Sequence, residues 1–269
     1  MWAIAFIVVA SVGAALLFGR RNLISRSAVE NSRVSVLFFL TNFLLAPWVI
    51  LSKMGIVATY SMLGLPQMPS SLWTDVPFVL LVLISFLADE FWLYWVHRWL
   101  HSRWGWPIHA IHHSDSHVNG LTPWRIHVLE AVVMRLFAVF MLSWMGMPPE
   151  AAGASSLFVL LHSIYIHTPI DWDHGPLRMV IASPRFHRWH HYDAEPAYMT
   201  NLANALPIYD WLFGTYRPPH LLDAPLGAKT ANVPDTQFIA LWMWPLREWG
   251  RMLRELATSR AKGGGSFGT

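Results

Sequence analysis

Five apolar runs, each near the length that crosses a lipid bilayer, constrain this 269-residue chain more than any other feature. A helix needs roughly 20 apolar residues to span the hydrocarbon core, somewhat fewer where flanking side chains reach the interface. Met1 to Phe18 and Val34 to Leu51 qualify, and a third run starts near Val76 and continues through VPFVLLVLISFLADEFWLYWVHRW. Leu129 to Met145 and Ala152 to Ile166 read as a pair joined by the turn GMPPE. With 54% hydrophobic and 13% charged residues, the chain could hardly assemble a water-facing shell. The expected fold is therefore all-α, a polytopic membrane helix bundle. The first run lacks a basic leading region and reads as a retained anchor rather than a cleaved signal.

Orientation follows from the arginines. Arg20, Arg21, Arg26 and Arg33 lie between the first two runs, and short loops rich in Lys and Arg stay in the cytoplasm. The third run then returns to the cytoplasm at His97, the fourth leaves from near His127 and the fifth comes back near His167. Every histidine group falls on that one face, as a helical cap on the bundle. Such a protein belongs in the bacterial inner membrane or the endoplasmic reticulum. The chain divides into N-terminal anchor helices over 1–75, a central histidine-rich domain over 76–219 and a C-terminal region over 220–269. In the last, WMWPLREWGRMLREL carries tryptophans on one side and arginines on the other, the pattern of an interfacial helix, ahead of a flexible AKGGGSFGT tail. The basic residues are scattered among tryptophans and leucines instead of forming a stripe, which excludes nucleic acid as a partner despite a net charge of +3.

The chain has no cysteine, so disulfides, iron–sulfur clusters, thiolate-bound haem and cysteine nucleophiles are all excluded. Any metal must be held by nitrogen and oxygen. Thirteen of the 14 histidines lie between His97 and His191, and they come in ligand spacings. HRWLH sets His97 and His101 four apart, which on a helix places both imidazoles on one face, about 6 Å apart along the axis. HAIHH supplies His109, His112 and His113, and HRWHH repeats the pattern with His187, His190 and His191. Neutral imidazole suits iron, copper, zinc and nickel. These residues exceed the three or four that one zinc ion uses, and two ions sharing the cluster account for the number. His162 and His167, in LHSIYIHT at the end of the fifth run, add membrane-edge ionisable groups of the kind that are usually functional.

DEFWLYWVHRWLH, HAIHHSDSHVN, RIHVLE, SPRFHRWHH and TNLANALPIYDWLFGTYRP, between Asp89 and Pro218, resemble the fatty acid hydroxylase and sterol desaturase superfamily of integral-membrane, non-haem di-iron enzymes. The resemblance implies a fatty acid hydroxylase-like catalytic domain over 76–219 and metal-ligand roles for His97, His101, His109, His112, His113, His187, His190 and His191. It extends to His162 and, with less direct correspondence, to His167, whose HxxxxH spacing is closer to the carotenoid hydroxylase branch. It implies two iron ions as cofactor, O2 as co-substrate and a lipid substrate that is hydroxylated or desaturated. The chain shows no haem or flavin module, so electrons come from a separate donor: a cytochrome b5, a ferredoxin or a reductase. Arg98, Arg103, Arg185 and Arg188 are candidates to attract it, or to bind membrane lipid phosphates.

A liganding imidazole usually donates its other N–H to a carboxylate or carbonyl. Asp89, Asp115, Glu130 and Asp193 are candidates for that support, and Asn201 and Asn204 for positioning the last histidine motif. Asp89, Asp115 and Asn201 are the expected catalytic residues beside the ligands, and His127 an expected supporting one. Two other classes compete. A zinc-dependent membrane hydrolase needs fewer ligands and a carboxylate base. A histidine-lined metal transporter would place its histidines at the midplane, often within an inverted repeat.

Overall fold

The computed structural model describes residues 25–263; the first expected span, Arg20, Arg21 and the end of the glycine-rich tail lie outside the described residues. Nine helices, joined by short turns and a few 3₁₀ segments, make up the described chain. Among the described residues there is no strand, and Tyr192 and Leu226 form an isolated antiparallel bridge.

Helix α1 (Arg26–Met62) is capped by Ser25, whose hydroxyl accepts the Ala28 N–H at 3.2 Å. It is longer at both ends than the Val34 to Leu51 run, because apolarity marks only the stretch suited to lipid while helical backbone continues beyond it. Ala28, Asn31, Ser35 and Phe38, three or four apart, form its buried face, and Phe38 meets Phe238 edge-on at 5.0 Å. Phe43, Leu44 and Trp48 point outward and are exposed.

Helices α2 (Phe78–Leu100), α4 (Val128–Met145) and α5 (Pro149–Ile166) pack together, with α2 against both others and α1 against α4. In α2 the usual amphipathic order is reversed. Ser85, Asp89, Glu90 and His97 are buried, while Phe78, Val79, Leu80, Leu83 and Leu87 are exposed. An exposed apolar belt of this size around a polar interior matches a lipid surrounding, not water. By length and apolarity, α2 and α4 are the described helices able to cross a bilayer, and the protein is a membrane protein. Helix α5 falls short of that standard, since its first half is rich in alanine, serine and glycine; its Ser155 instead donates a 2.7 Å hydrogen bond to Asp89 of α2.

Three short helices cover one end of this bundle. Gly105 turns the chain from α2 into α3 (Trp106–His113); a Cβ there would collide with the carbonyl of Trp99, so only glycine permits the close approach. Helix α6 (Pro184–His190) begins at Ser183, which accepts the Phe186 N–H at 3.1 Å, and α7 (Ile208–Leu212) follows. Helix α8 (Phe238–Trp242) and helix α9 (Trp244–Gly263) divide what the sequence suggests as one interfacial helix. Pro245 has no N–H with which to continue the ladder of α8. Helix α9 packs on α3, and the Trp249 indole donates to the Trp104 carbonyl at 3.0 Å.

Candidate metal centre

Nine histidines converge in two groups, and within each group the nitrogens offered lie within 4.8 Å of one another. The first holds His97, His101, His109, His113 and His190; the second holds His112, His167, His187 and His191. All are buried except the half-buried His101. The two HxxHH motifs divide in opposite senses. In α3 the i, i+4 pair, His109 and His113, joins the first group while His112 joins the second. In and just after α6 the i, i+4 pair, His187 and His191, joins the second group while His190 joins the first. The groups are immediate neighbours, since the rings of His113 and His191 stack with centroids 4.6 Å apart.

Hydrogen bonds fix how several rings are protonated. His97 Nδ1–H donates to the Leu202 carbonyl at 2.5 Å, His190 Nδ1–H to the Thr200 carbonyl at 2.9 Å and His167 Nδ1–H to the Ser163 carbonyl at 2.6 Å. His109 Nδ1–H donates to Glu130 at 2.8 Å. A neutral imidazole has one N–H, so each of these rings turns a bare Nε2 lone pair inward. Yet His97 Nε2 and His109 Nε2 are 3.0 Å apart. Two lone pairs at that distance repel unless a cation lies between them, and 3.0 Å is the chord across two bonds of about 2.1 Å meeting at roughly a right angle. The same spacing recurs between His101 and His190 at 3.2 Å, His112 and His167 at 3.2 Å, His167 and His187 at 2.9 Å, and His187 and His191 at 3.1 Å. His113 Nε2 and the Nδ1 atoms of His112, His187 and His191 are buried without a hydrogen-bond partner. The donor set fits metal ions held by nitrogen.

Electrostatics favour the same state. Burial, reinforced by neighbouring imidazoles, pushes His101, His109, His112, His113, His187, His190 and His191 well below the ordinary histidine value, and burial takes His167 down to about 3. These rings are neutral at physiological pH, which is the ligating form.

A strap of irregular chain, 200–205, supplies two of the orienting carbonyls. Asn201 within it adopts a left-handed φ of 54°, and its side chain clasps Arg217, accepting the backbone N–H at 2.8 Å and donating to the carbonyl at 3.0 Å. Buried carboxylates anchor the rest of the strap. Asp210 accepts the N–H groups of Leu202 and Ala203 at 2.6 and 2.8 Å, and Glu90 accepts the Ala205 N–H at 2.6 Å and the Asn204 amide at 3.2 Å.

The remaining sequence candidates have different surroundings. His162 is buried beside Phe158 and Tyr165 but is in neither group. Asp115 accepts the His117 N–H at 2.9 Å and the Thr122 hydroxyl at 2.7 Å, so it shapes the loop that follows α3. Asp193 accepts from Tyr198 at 2.9 Å and from the Thr230 N–H at 2.8 Å. His127 caps α4, accepting the Leu129 N–H at 3.2 Å. The arginines do not form an open basic patch. Arg188 is buried and donates to the Thr168 carbonyl, Arg185 pairs with Asp171 at 2.9 Å, and Arg98 donates to Tyr94 and the Phe213 carbonyl.

A cavity of about 260 Å³ reaches both groups between α2, α4 and α5. His97, His109, His112, His167 and His187 form its inner end, with Asp89 and Glu130 beside them. Its walls farther out include Leu93, Met134, Ala138, Val159 and Leu160. A second cavity touches His101, His113 and His190 from another side, lined by Trp106, Tyr192 and Tyr198 among others.

Comparison with known proteins adds to this geometry. Residues 82–215 match the model of a family described as fatty acid hydroxylase. The chain is 30% identical over 155 residues to an ornithine lipid hydroxylase of Rhizobium tropici, covering 56% of this chain and 46% of that protein. It is 33% identical over 137 residues to the human alkylglycerol monooxygenase, covering 49% of this chain and 29% of the relative. It is 28% identical over 143 residues to methylsterol monooxygenase 1-3 of Arabidopsis thaliana, covering 50% and 47%. The chain thus spans less than half the length of each of these relatives. No solved structure matches it.

Proposed function

Because the chain belongs to the fatty acid hydroxylase family, we propose that it is a membrane-bound oxidoreductase that uses O2 to hydroxylate or desaturate a lipid. The observation that carries this reading is the meeting of nine imidazoles, in two groups, with the inner end of a largely apolar cavity. Two iron ions, one per group, would supply O2 activation and the attack on an unactivated C–H bond, chemistry that side chains alone do not perform. Relatives support the substrate class, since those named above are called an ornithine lipid hydroxylase, an alkylglycerol monooxygenase and a methylsterol monooxygenase.

The chain's own residues hold, orient and enclose. The five-histidine and four-histidine groups provide the ligands. Thr200, Leu202 and Ser163 carbonyls and the Glu130 carboxylate set ring orientation and keep Nε2 available. The cavity walls exclude water from the reacting carbon. Asp89 and Glu130 line the cavity, each with one oxygen engaged, by Ser155 and His109, and the other, Oδ1 and Oε2, buried without a partner, so either carboxyl is able to meet a substrate group or carry a proton. Asp115 and Asn201 act through position: one fixes the loop after α3, the other the carbonyl-bearing strap. The histidines at the ends of the apolar helices, with the arginines between the first two runs, support a centre at the membrane boundary on the cytoplasmic side. Electrons come from a separate carrier, a cytochrome b5, a ferredoxin or a reductase.

The test is direct. Protein in nanodiscs is loaded with ferrous iron and given a reductant, labelled O2 and a lipid extract. Two irons per chain, lipid-dependent O2 uptake and one labelled oxygen in a hydroxylated product are expected; an unlabelled alkene identifies desaturation instead. O2 uptake indifferent to lipid, or one zinc with lipid hydrolysis, defeats the proposal.

A further inference from the structure

Helix α4 carries one arginine along its apolar length, Arg135, and its placement is unusual. Ala131, Met134, Arg135 and Ala138, at helical spacings of three and four, line the cavity that reaches the histidines. Arg135 is exposed, and among the described residues no carboxylate lies within ion-pair distance of its guanidinium. The two carboxyl groups lining the same cavity each hold another partner through one oxygen, Asp89 with Ser155 and Glu130 with His109, and neither pairs with Arg135. Arg135 lies five residues beyond Glu130, about 7.5 Å farther along the helix.

An arginine within a membrane-crossing helix is costly, and those that persist face a partner, a cavity or the interface. Here the wall is present and the protein partner is missing. Guanidinium forms paired hydrogen bonds to carboxylate and phosphate and remains charged at any accessible pH. We infer that Arg135 selects the substrate, binding the anionic oxygens of an amphiphile's head group while its hydrocarbon part extends along the apolar wall toward the histidines. This rests on the lipid-oxidising reading of the same cavity and narrows it to lipids bearing a carboxylate or a phosphate near the reacting segment. Neutral sterols and wax-like lipids fall outside that class.

The test compares oleate, lysophosphatidate and methyl oleate as radiolabelled probes binding to the full chain in maltoside micelles, with no reductant present. The wild-type protein is expected to bind at least one charged probe about tenfold more tightly than the ester. In Arg135→Gln that preference disappears while ester binding is unchanged, which also shows that the cavity is intact. Arg135→Lys keeps a charge but not the paired geometry and retains part of the preference. Stronger binding of oleate points to a carboxylate lipid, and of lysophosphatidate to a phospholipid. Equal binding of charged and neutral probes, a preference that survives in Arg135→Gln, or no binding of any probe overturns the inference. Lipid-dependent O2 uptake by the same variants, loaded with ferrous iron and given a reductant in a separate assay, separates it from the parent proposal: uptake without charge preference removes only the role of Arg135. Charge-selective binding without uptake supports that role and removes oxidation.

Discussion

Glu130 lies 2.8 Å from the Nδ1 of His109, and both side chains are buried at the junction of α4 and α3. The contact orients an imidazole whose other nitrogen faces His97. Replacing Glu130 with Gln keeps the shape and exchanges the carboxyl group for an amide. A loss of about 10- to 100-fold in metal affinity is expected for such an outer partner. Competition against a chelator of known affinity measures it, and wild-type affinity would show that the carboxylate is dispensable.

His190 and His191 are consecutive in sequence but belong to different groups. His190→Ala leaves four ligands in the first group, whereas His191→Ala leaves three in the second. Elemental analysis after gel filtration is expected to show a larger loss for His191→Ala, toward one metal per chain. Equal retention of two metals by both variants contradicts the division into groups.

The metal-free protein should be acid-sensitive. His167 is held at about 3, and His187, His190 and His191 well below their ordinary value, all chiefly by burial. Between about 6.5 and those lowered values the unfolded chain binds more protons than the folded one. Stability is therefore full above about pH 6.5 and is lost as pH falls toward the folded values. Thermal unfolding of chelator-stripped protein in detergent is expected to move steadily lower across that window, and bound metal to delay the fall. A flat profile contradicts the assignment of neutral buried rings.

Glu90 anchors the strap that carries the Leu202 carbonyl to His97. Glu90→Leu leaves the Ala205 N–H buried without its acceptor, a cost of about 1–3 kcal/mol. A lowered thermal midpoint together with weakened metal retention is expected; a stability loss with metal affinity untouched would mean that the strap does not position His97.

Ala138 lines the cavity at a distance from the ligands. Ala138→Trp should obstruct it, with lipid-dependent O2 uptake down by about tenfold or more while iron content stays at the wild-type level. Unchanged uptake would place the substrate elsewhere.

The sequence reveals the helices and the ligands more readily than their supports. HxxxH and HxxHH are visible because imidazoles are rare and helical spacing is regular. The division of each motif between two groups is not visible, since it depends on how α3 and α6 are rotated against each other. Glu130 is recoverable as an acidic residue in an apolar run, and Glu90, beside Asp89, carries the same signal although its role in the strap depends on a contact 115 positions away. The carbonyls of Thr200 and Leu202 are invisible to any reading of side chains, because every residue has one. The break between α8 and α9 was marked by Pro245, but the tryptophan and arginine pattern continues across it.

The opposite division of the two HxxHH motifs has a consequence for assembly. Each of α3 and α6 contributes to both groups, so neither helix can settle around one ion without bringing ligands for its neighbour toward their final places. Filling the first position therefore prepays part of the ordering cost of the second, and the pair should load cooperatively rather than as two independent events.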